Sequence, residues 1–249
     1  MNEKSSLREE LLLNILAIDS SAQVSSVCLL NEEHILAEFN VNVKLTHSQT
    51  LLPMVEAVLR CSGYSLPQVD AFAVSVGPGS FTGIRIGVSA VKGLALPENK
   101  PCVAVSTLEA MAYNLGILDG VLCCVMDARC QQVYNALFRA KDGAITRICD
   151  DRALSVKDLE QDLGNLNENI FLVGDGADLC YNVIKNPAGF LHLAPKHLKL
   201  QKAASVGLCA QQKIRRNETV SAAELIPQYL RLPQAERELL KKQGKTVSR

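Results

Sequence analysis

Apolar residues follow two rhythms along the chain, and the rhythms alternate. The first is a short, nearly unbroken run: Ile15-Leu16-Ala17-Ile18, Val24–Leu30, Ala71–Val76 and Val121–Met126. Such runs between polar turns predict strands, and continuous ones predict strands covered on both faces. Ile35–Val43 alternates only in part and follows the turn Asn31-Glu32-Glu33, so it reads as a third strand. Pro101–Val105, Val133–Arg139, Ile145–Cys149 and Ile170–Val173 complete the predicted strands. The second rhythm has helical spacing. It predicts helices from Ser48 to about Arg60, capped by Thr46, and over 82–96, Thr107–Leu115 and Ser155–Leu163. Two more follow, from the Gly174-Asp175-Gly176 turn to about Ile184 and over Ser205–Arg215.

The order of these elements repeats. A strand ends in an aspartate, Asp19 in one half and Asp127 in the other; antiparallel strands follow, and then helices and strands alternate. That βββαβα rhythm, used twice, predicts an α/β protein of two similar halves with a mixed sheet in each. It resembles the actin-like ATPase (ASKHA) fold. The expected division is an extension over 1–13, one half over 14–106, a second over 107–232 and a charged tail over 233–249. The tail is net basic and reads as a frayed terminus rather than a nucleic-acid arm.

Composition narrows the function classes. Apolar residues make up 48% of the 249 and charged residues 21%, which is enough for a substantial core. The 26 basic and 26 acidic side chains cancel, so binding of nucleic acid by the charge of the whole surface is not expected. The nine cysteines form no C-x-x-C, and Cys123-Cys124 sit in an apolar run. They read as buried free thiols of a reducing cytosol. The first residues lack a basic head with an apolar stretch behind it, and no apolar run reaches the roughly 18 residues of a membrane span. A cytoplasmic protein is expected.

The candidate chemistry centres on Gly77-Pro78-Gly79-Ser80-Phe81-Thr82-Gly83-Ile84-Arg85-Ile86-Gly87. Strand, glycine turn and helix start expose backbone N–H groups at a positive helix end. Yet the spacing fits neither well-known phosphate loop, because Ile84 follows Gly83 where a lysine is needed and Thr82 stands where a third glycine is needed. Ser80 is three residues after the first glycine, which is not a nucleophile elbow, and it reads as a helix cap. The hairpin after the first strand is Asp19-Ser20-Ser21-Ala22-Gln23, without the glycine that lets backbone approach a phosphate. Asp19, Ser20 and Ser21 are therefore read as a possible vestigial nucleotide site. The four histidines show no metal spacing. Leu51, Leu52, Met54, Val55, Val58 and Leu59 make the 48–60 helix apolar over more than one stripe. Either a second subunit or burial between domains would account for that. Gly83 and Gly87 lie on one helical face that permits close approach of another backbone. Arg85, at a helix start, is placed to pair with a carboxylate of a neighbouring chain or to reach an anion.

Four segments stand in the order of the bacterial TsaB (YeaZ) family: Asp19-Ser20-Ser21; His47-Ser48-Gln49-Thr50-Leu51-Leu52-Pro53-Met54; the glycine motif 77–87; and Val105-Ser106-Thr107-Leu108-Glu109-Ala110-Met111. Pro227-Gln228-Tyr229-Leu230-Arg231 matches the family's usual close. The resemblance spans roughly 14–232, and the extra N-terminal segment and the tail after Leu232 depart from it.

What the resemblance implies is a subunit of the machinery that forms threonylcarbamoyladenosine beside the anticodon of tRNAs reading ANN codons. The paralogue TsaD, of the Kae/Gcp group, carries a metal on a His-x-Glu-x-His helix. Here Thr107 and Met111 stand at the histidine positions, and neither is an adequate ligand for a catalytic iron or zinc. The implied role is a non-catalytic dimerisation scaffold, a pseudo-enzyme with no cofactor of its own. ATP and metal are expected on its partners, a TsaD-type catalytic subunit and a TsaE-type ATPase. A homodimer is expected when the chain is alone, and tRNA is met only through the complex. The partner surface is expected on the helices over 48–60 and 82–96, at His47, Leu51, Met54, Val55, Val58, Gly83, Arg85, Gly87 and Val91. The alternatives are an actin-fold ATPase or small-molecule kinase, and a peptidase.

Overall fold

The computed structural model of the chain describes residues 12–185 and 189–232. The charged tail and all but two residues of the expected extension lie outside the described residues. Strands β1 (Ile15–Asp19), β2 (Ser25–Leu30), β3 (Ile35–Val41), β4 (Ala71–Gly77) and β5 (Cys102–Ser106) form one sheet, in the order β3-β2-β1-β4-β5. β1 is antiparallel to β2 and parallel to β4, so that Ile18 lies opposite Val27 on one side and Val74 on the other. The second sheet is built from β6 (Gly120–Asp127), β7 (Gln132–Lys141), β8 (Ala144–Arg147), β9 (Arg152–Ser155), β10 (Ile170–Val173) and β11 (Leu191–Leu193). Its order is β11-β10-β6-β7-β8, with β9 also paired to β7. Each sheet is a three-strand antiparallel meander continued by two parallel strands. The repeated rhythm of the sequence is therefore a repeated topology, that of the actin-like fold.

Helices α1 (His47–Ser62) and α2 (Phe81–Ala95) cover one face of the first sheet. Leu51, Met54, Val55 and Val58 of α1 and Ile84, Val88 and Val91 of α2 pack there on Leu16, Ile18, Phe72 and Val74. Helix α7 (Ala203–Arg215) covers the opposite face through Ala203, Val206, Cys209 and Ala210. This is why β1 is apolar at every position but its last: both of its faces are buried. Each such Ile or Leu contributes about 2 kcal/mol. In the second sheet, α3 (Thr107–Ala112) covers one face with Leu108 and Met111, while α4 (Val156–Leu163) and α5 (Ala177–Val183) cover the other. A short α6 (Lys196–Lys199) precedes α7.

Three expectations need correction. The second half was expected to own residues 107–232. Instead α7 and the segment behind it return to the first sheet: Val220 bridges to Cys102, and Ala222 and Leu225 join the core beneath α1 and α2. The chain crosses back because α7 has a small, apolar face (Ala203, Ala204, Ala210) that fits closely on β1 and β2. Second, Leu51, Met54, Val55, Val58 and Val91 are not surface residues; they are 0–6% exposed and fill the core. The surplus apolar surface of α1 reduces to Leu52, which is 54% exposed.

Third, Gly83 and Gly87 face inward. A Cβ at Gly83 would lie 2.1 Å from the Ser20 carbonyl oxygen, and one at Gly87 would lie 2.4 Å from Ser20 Oγ. The glycines do admit another backbone, but it is the β1–β2 turn of the same chain.

This geometry separates the three helical glycines by stability. Gly83→Ala and Gly87→Leu are expected to lower the unfolding free energy in urea, Gly83→Ala by about 1–3 kcal/mol and the larger substitution by more. Gly93, which has nothing within 4 Å of a built Cβ, is the contrast. Gly93→Ala is expected to raise stability by about 1 kcal/mol.

Candidate functional site

The hairpin after β1 is closed by the chain's own atoms. Asp19, Ser20 and Ser21 are at most 1% exposed. Asp19 Oδ1 accepts from the Ser21 N–H at 2.9 Å and from Ser21 Oγ at 2.7 Å, and Oδ2 accepts from Ser75 Oγ at 2.6 Å. Burial pushes the Asp19 carboxyl above its ordinary value of 3.8, against the opposing hydrogen bonds from Ser75 and Ser21. Ser20 Oγ donates to the Gly83 carbonyl at 2.8 Å, and the Ser80 N–H donates to the Ser21 carbonyl at 2.7 Å. A Cβ at Gly79 would meet that same carbonyl at 2.3 Å. The glycine motif therefore lies on the turn that would have to approach a phosphate. Gly79, Gly83 and Gly87 serve contact with Ser20 and Ser21, Gly77 lies against the Gln228 carbonyl, and Ser80 caps α2 by accepting from the Gly83 N–H.

His47 braces the same turn. Its Nε2 is 2.7 Å from the Ala22 carbonyl and its Nδ1 is 2.5 Å from Ser25 Oγ. A neutral ring protonated at Nε2 satisfies both contacts.

The positions that a metal-bearing helix would use are buried. Thr107 is fully buried at the start of α3, and Met111 packs with Leu115, Leu122 and Phe138. Glu109, between them, instead joins an ion-pair cluster. Arg147 lies 3.5 Å from Glu109 and 2.6 Å from Asp151, and Lys213 lies 3.9 Å from Glu109. Ser106 Oγ donates to Asp151 at 2.5 Å. These groups line a polar cleft of about 440 Å³ between the two sheets.

The second strand-end aspartate, Asp127, is exposed and accepts from the Arg129 N–H at 2.8 Å. Arg129, Cys130 and Gln131 after it all take positive φ, 68°, 54° and 58°. Nothing in their sequence announces this, since none is glycine or asparagine.

The open feature is a groove of about 600 Å³ between the outer faces of α1 and α2. Ser48, Leu51 and Leu52 line one wall and Thr82, Arg85, Ile86, Ser89 and Ala90 the other, with His47 at the end. Of the nine residues expected at a partner surface, His47 and Arg85 line it, and Leu51, a core residue 1% exposed, reaches only its floor. The other six lie inside the monomer. The expectation missed Leu52 and Ile86, although Leu52 stood out in the apolar count of α1. It also missed Tyr229. The Tyr229 ring stacks on Phe81 with centroids 4.3 Å apart, and its hydroxyl accepts from Arg85 Nε at 2.8 Å. A separation of 144 residues hides that contact from any spacing argument.

Most of the chain is similar to known proteins. Residues 35–239 match the family model described as TsaD: tRNA N6-adenosine threonylcarbamoyltransferase. The tRNA threonylcarbamoyladenosine biosynthesis protein TsaB of Bacillus subtilis (strain 168) is 30% identical over 234 residues, 93% of this chain and 100% of that one. TsaB of Haemophilus influenzae is 34% identical over 232 residues, 88% of this chain and 94% of its own. The solved structure of YeaZ from Pseudomonas aeruginosa has a TM-score of 0.76 and 29% identity, covering 88% of this chain and 100% of that chain.

The buried carboxyl gives a pH signature. With its folded pKa above the unfolded value of 3.8, Asp19 holds its proton more tightly in the folded state. Its ionisation therefore subtracts stability as pH rises from about 4 through the raised folded value, and the loss is complete above it. Asp19→Asn removes that ionisation. Urea midpoints are expected to shift in favour of the variant, relative to the parent, as pH rises through this window, with no further relative change above it.

Proposed function

The chain belongs to the TsaB (YeaZ) family, and from that premise we propose that it is the non-catalytic scaffold subunit of the complex that forms threonylcarbamoyladenosine on tRNA. In this reading it supports a TsaD-type catalytic subunit through the α1–α2 groove. A TsaE-type ATPase completes the complex, the isolated chain pairs with itself, and tRNA is met through the assembly in the cytoplasm. Among the described residues, no helix is long and apolar enough to cross a membrane.

The observation that carries the reading is the sealed hairpin. A phosphate would have to displace the loop at 79–83, whose backbone hydrogen-bonds to Ser20 and Ser21. It would also meet a carboxylate that already accepts three hydrogen bonds. A nucleotide does not fit these residues. A transition metal does not fit Thr107 and Met111 either, because a buried hydroxyl and a thioether packed in hydrocarbon do not make its ligand set. In this reading ATP and metal are assigned to the partner subunits. Relatives named as TsaB biosynthesis proteins, alongside a family model of the transferase, give the modification its identity. The kinase or ATPase alternative needs the hairpin open.

The test is co-purification with the TsaD-type paralogue and a tRNA modification assay with and without this chain. Modification is expected to require it. Leu52→Asp, which places a charge in the groove at an exposed site, is expected to weaken pairing by about 10- to 100-fold and to lower modification in parallel. The melting temperature should stay unchanged. Calorimetry is expected to detect no ATP binding by the isolated chain. Micromolar ATP binding, or full modification without the chain, would overturn the proposal.

A further inference from the structure

The polar cleft between the two sheets holds charged groups that the chain itself leaves unbonded. It opens at the carboxyl ends of β4 and β5, where Val76, Ala104 and Ser106 line it. These two strands are parallel, and open α/β sheets take their ligands at that end. The cleft volume of about 440 Å³ lies in the range of small-molecule sites, roughly 300–1,000 Å³. The end of β8 and the turn behind it bring Arg147, Asp150 and Asp151 from the second half, so both halves contribute.

One ion pair in the cleft is complete. Arg147 Nη1 donates to Asp151 Oδ1 at 2.6 Å and to the Cys149 carbonyl at 3.4 Å, and its guanidinium lies 4.6 Å from the Phe138 ring centroid. Asp151 Oδ2 accepts from Ser106 Oγ at 2.5 Å. The other charges are loosely held. Glu109 lies 3.5 Å from Arg147 and 3.9 Å from Lys213, both long for a hydrogen bond, and its hydrogen-bonding neighbour is the Cys209 thiol, a weak donor. Asp150 is exposed and accepts no hydrogen bond among the described residues. Lys213 donates to Glu218 at 3.2 Å and has further N–H groups to give. The Gln228 side-chain amide has no partner among the described residues. With the Arg147–Asp151 pair set aside, two carboxylates face one ammonium, which Glu218 already shares.

This inventory selects among ligands. A phosphate would be repelled by Glu109, Asp150 and Asp151. A hard metal ion gathers about six to eight oxygens, and here Arg147 and Lys213 stand among the carboxylates. A primary ammonium group brings one positive charge and N–H donors for carboxylates that lack them. We propose that the cleft binds small molecules carrying a primary ammonium group, which Glu109 and Asp150 accept, while Lys213 and the Gln228 amide face the ligand's other, polar end. Amino acids and simple alkyl amines share that group, and an amino acid adds a carboxylate for Lys213. The site lies apart from the α1–α2 groove and needs no partner chain, so it goes beyond the scaffold reading and stands without it.

The experiment is calorimetry with melting curves on the full chain, using n-butylamine hydrochloride and L-alanine at matched ionic strength. A ligand at about ten times its dissociation constant is expected to raise the melting temperature by about 2–5 °C. Asp150→Asn, at an exposed site free of hydrogen bonds, should melt as the parent does and weaken both ligands by about ten-fold. Glu109→Gln should weaken both as well, and Lys213→Met should weaken alanine alone. Butyltrimethylammonium, which carries the charge without the N–H donors, should not bind. Binding of one probe and not the other identifies the source of the ammonium group and upholds the site. The proposal is wrong if neither probe binds by about 10 mM, or if both carboxylate variants bind within about two-fold of the parent. Equal binding of butyltrimethylammonium would reduce the effect to unspecific charge, and equal binding of N-acetyl-alanine would make the cleft an anion site. Binding of magnesium or calcium chloride that both carboxylate variants abolish, with no amine bound, would make it a metal site. Each of these three results also overturns the proposal.

Discussion

The contact between α2 and the β1–β2 turn sets the terms for the rest of the molecule. With no side chain at 83 or 87, the helix reaches the carbonyl and hydroxyl of Ser20, closer than any residue with a Cβ allows. Once that face is pinned inward, the 3.6-residue period leaves no choice for the others. Ile84, Val88 and Val91 must point into the core, and Arg85, Ile86 and Ser89 must line the outside. The same contact fixes α1, because His47 sits against Gly83 while it braces Ala22 and Ser25. One close approach thus seals the would-be phosphate turn and creates the groove. The closed site and the open one are two sides of a single helix.

The lobes are tied together by chain crossings and ion pairs. Here α7 leaves the second half to cover the first sheet, and the segment ending at Arg231 reaches from Val76 to the β6–β7 turn. The cluster of Glu109, Arg147, Asp151 and Lys213 joins α3, the end of β8 and α7. These side chains are 16–29% exposed, so desolvation offsets part of their attraction. Their contribution is geometric more than energetic: each charge has a partner on another element, so sliding one element breaks several pairs at once.

Much of this was legible in the sequence, and the failures have a common cause. Strand runs, helix starts at Thr46 and Ser80 and the doubled βββαβα order depend on neighbours a few residues apart, and they emerged as expected apart from boundaries. β9 and β11 escaped because four and three residues carry too little pattern. The direction of the glycine face could not be read, because a smooth helical face looks alike whether a foreign helix or the chain's own turn rests on it. The same ambiguity misplaced Met54, Val55 and Val58: a wide apolar surface is the mark of an interface, and also of a helix wedged between a sheet and α2. Tyr229 was invisible for a different reason. Its role depends on a chain crossing that no local rule encodes.

Asp19 shows what burial does to a strand-end carboxyl. A strand-end aspartate in an open cleft would face solvent or a cation, and its charge would be cheap. Sealed under α2, the same carboxyl is desolvated and its pKa rises. It is kept from being ruinous by two donors from Ser21 and one from Ser75. Those bonds in turn tie β1 to β4 and hold the turn in the shape that Gly79 and Gly83 fit. The residue has become a structural acceptor. An alanine there would strand three buried donors rather than one, and each stranded donor costs about 1–3 kcal/mol. The loop at 79–83 could not close over a turn whose hydroxyls and N–H had lost their acceptor. The carboxylate thus acts on the fold through the turn on which Gly83 and Gly87 of α2 rest.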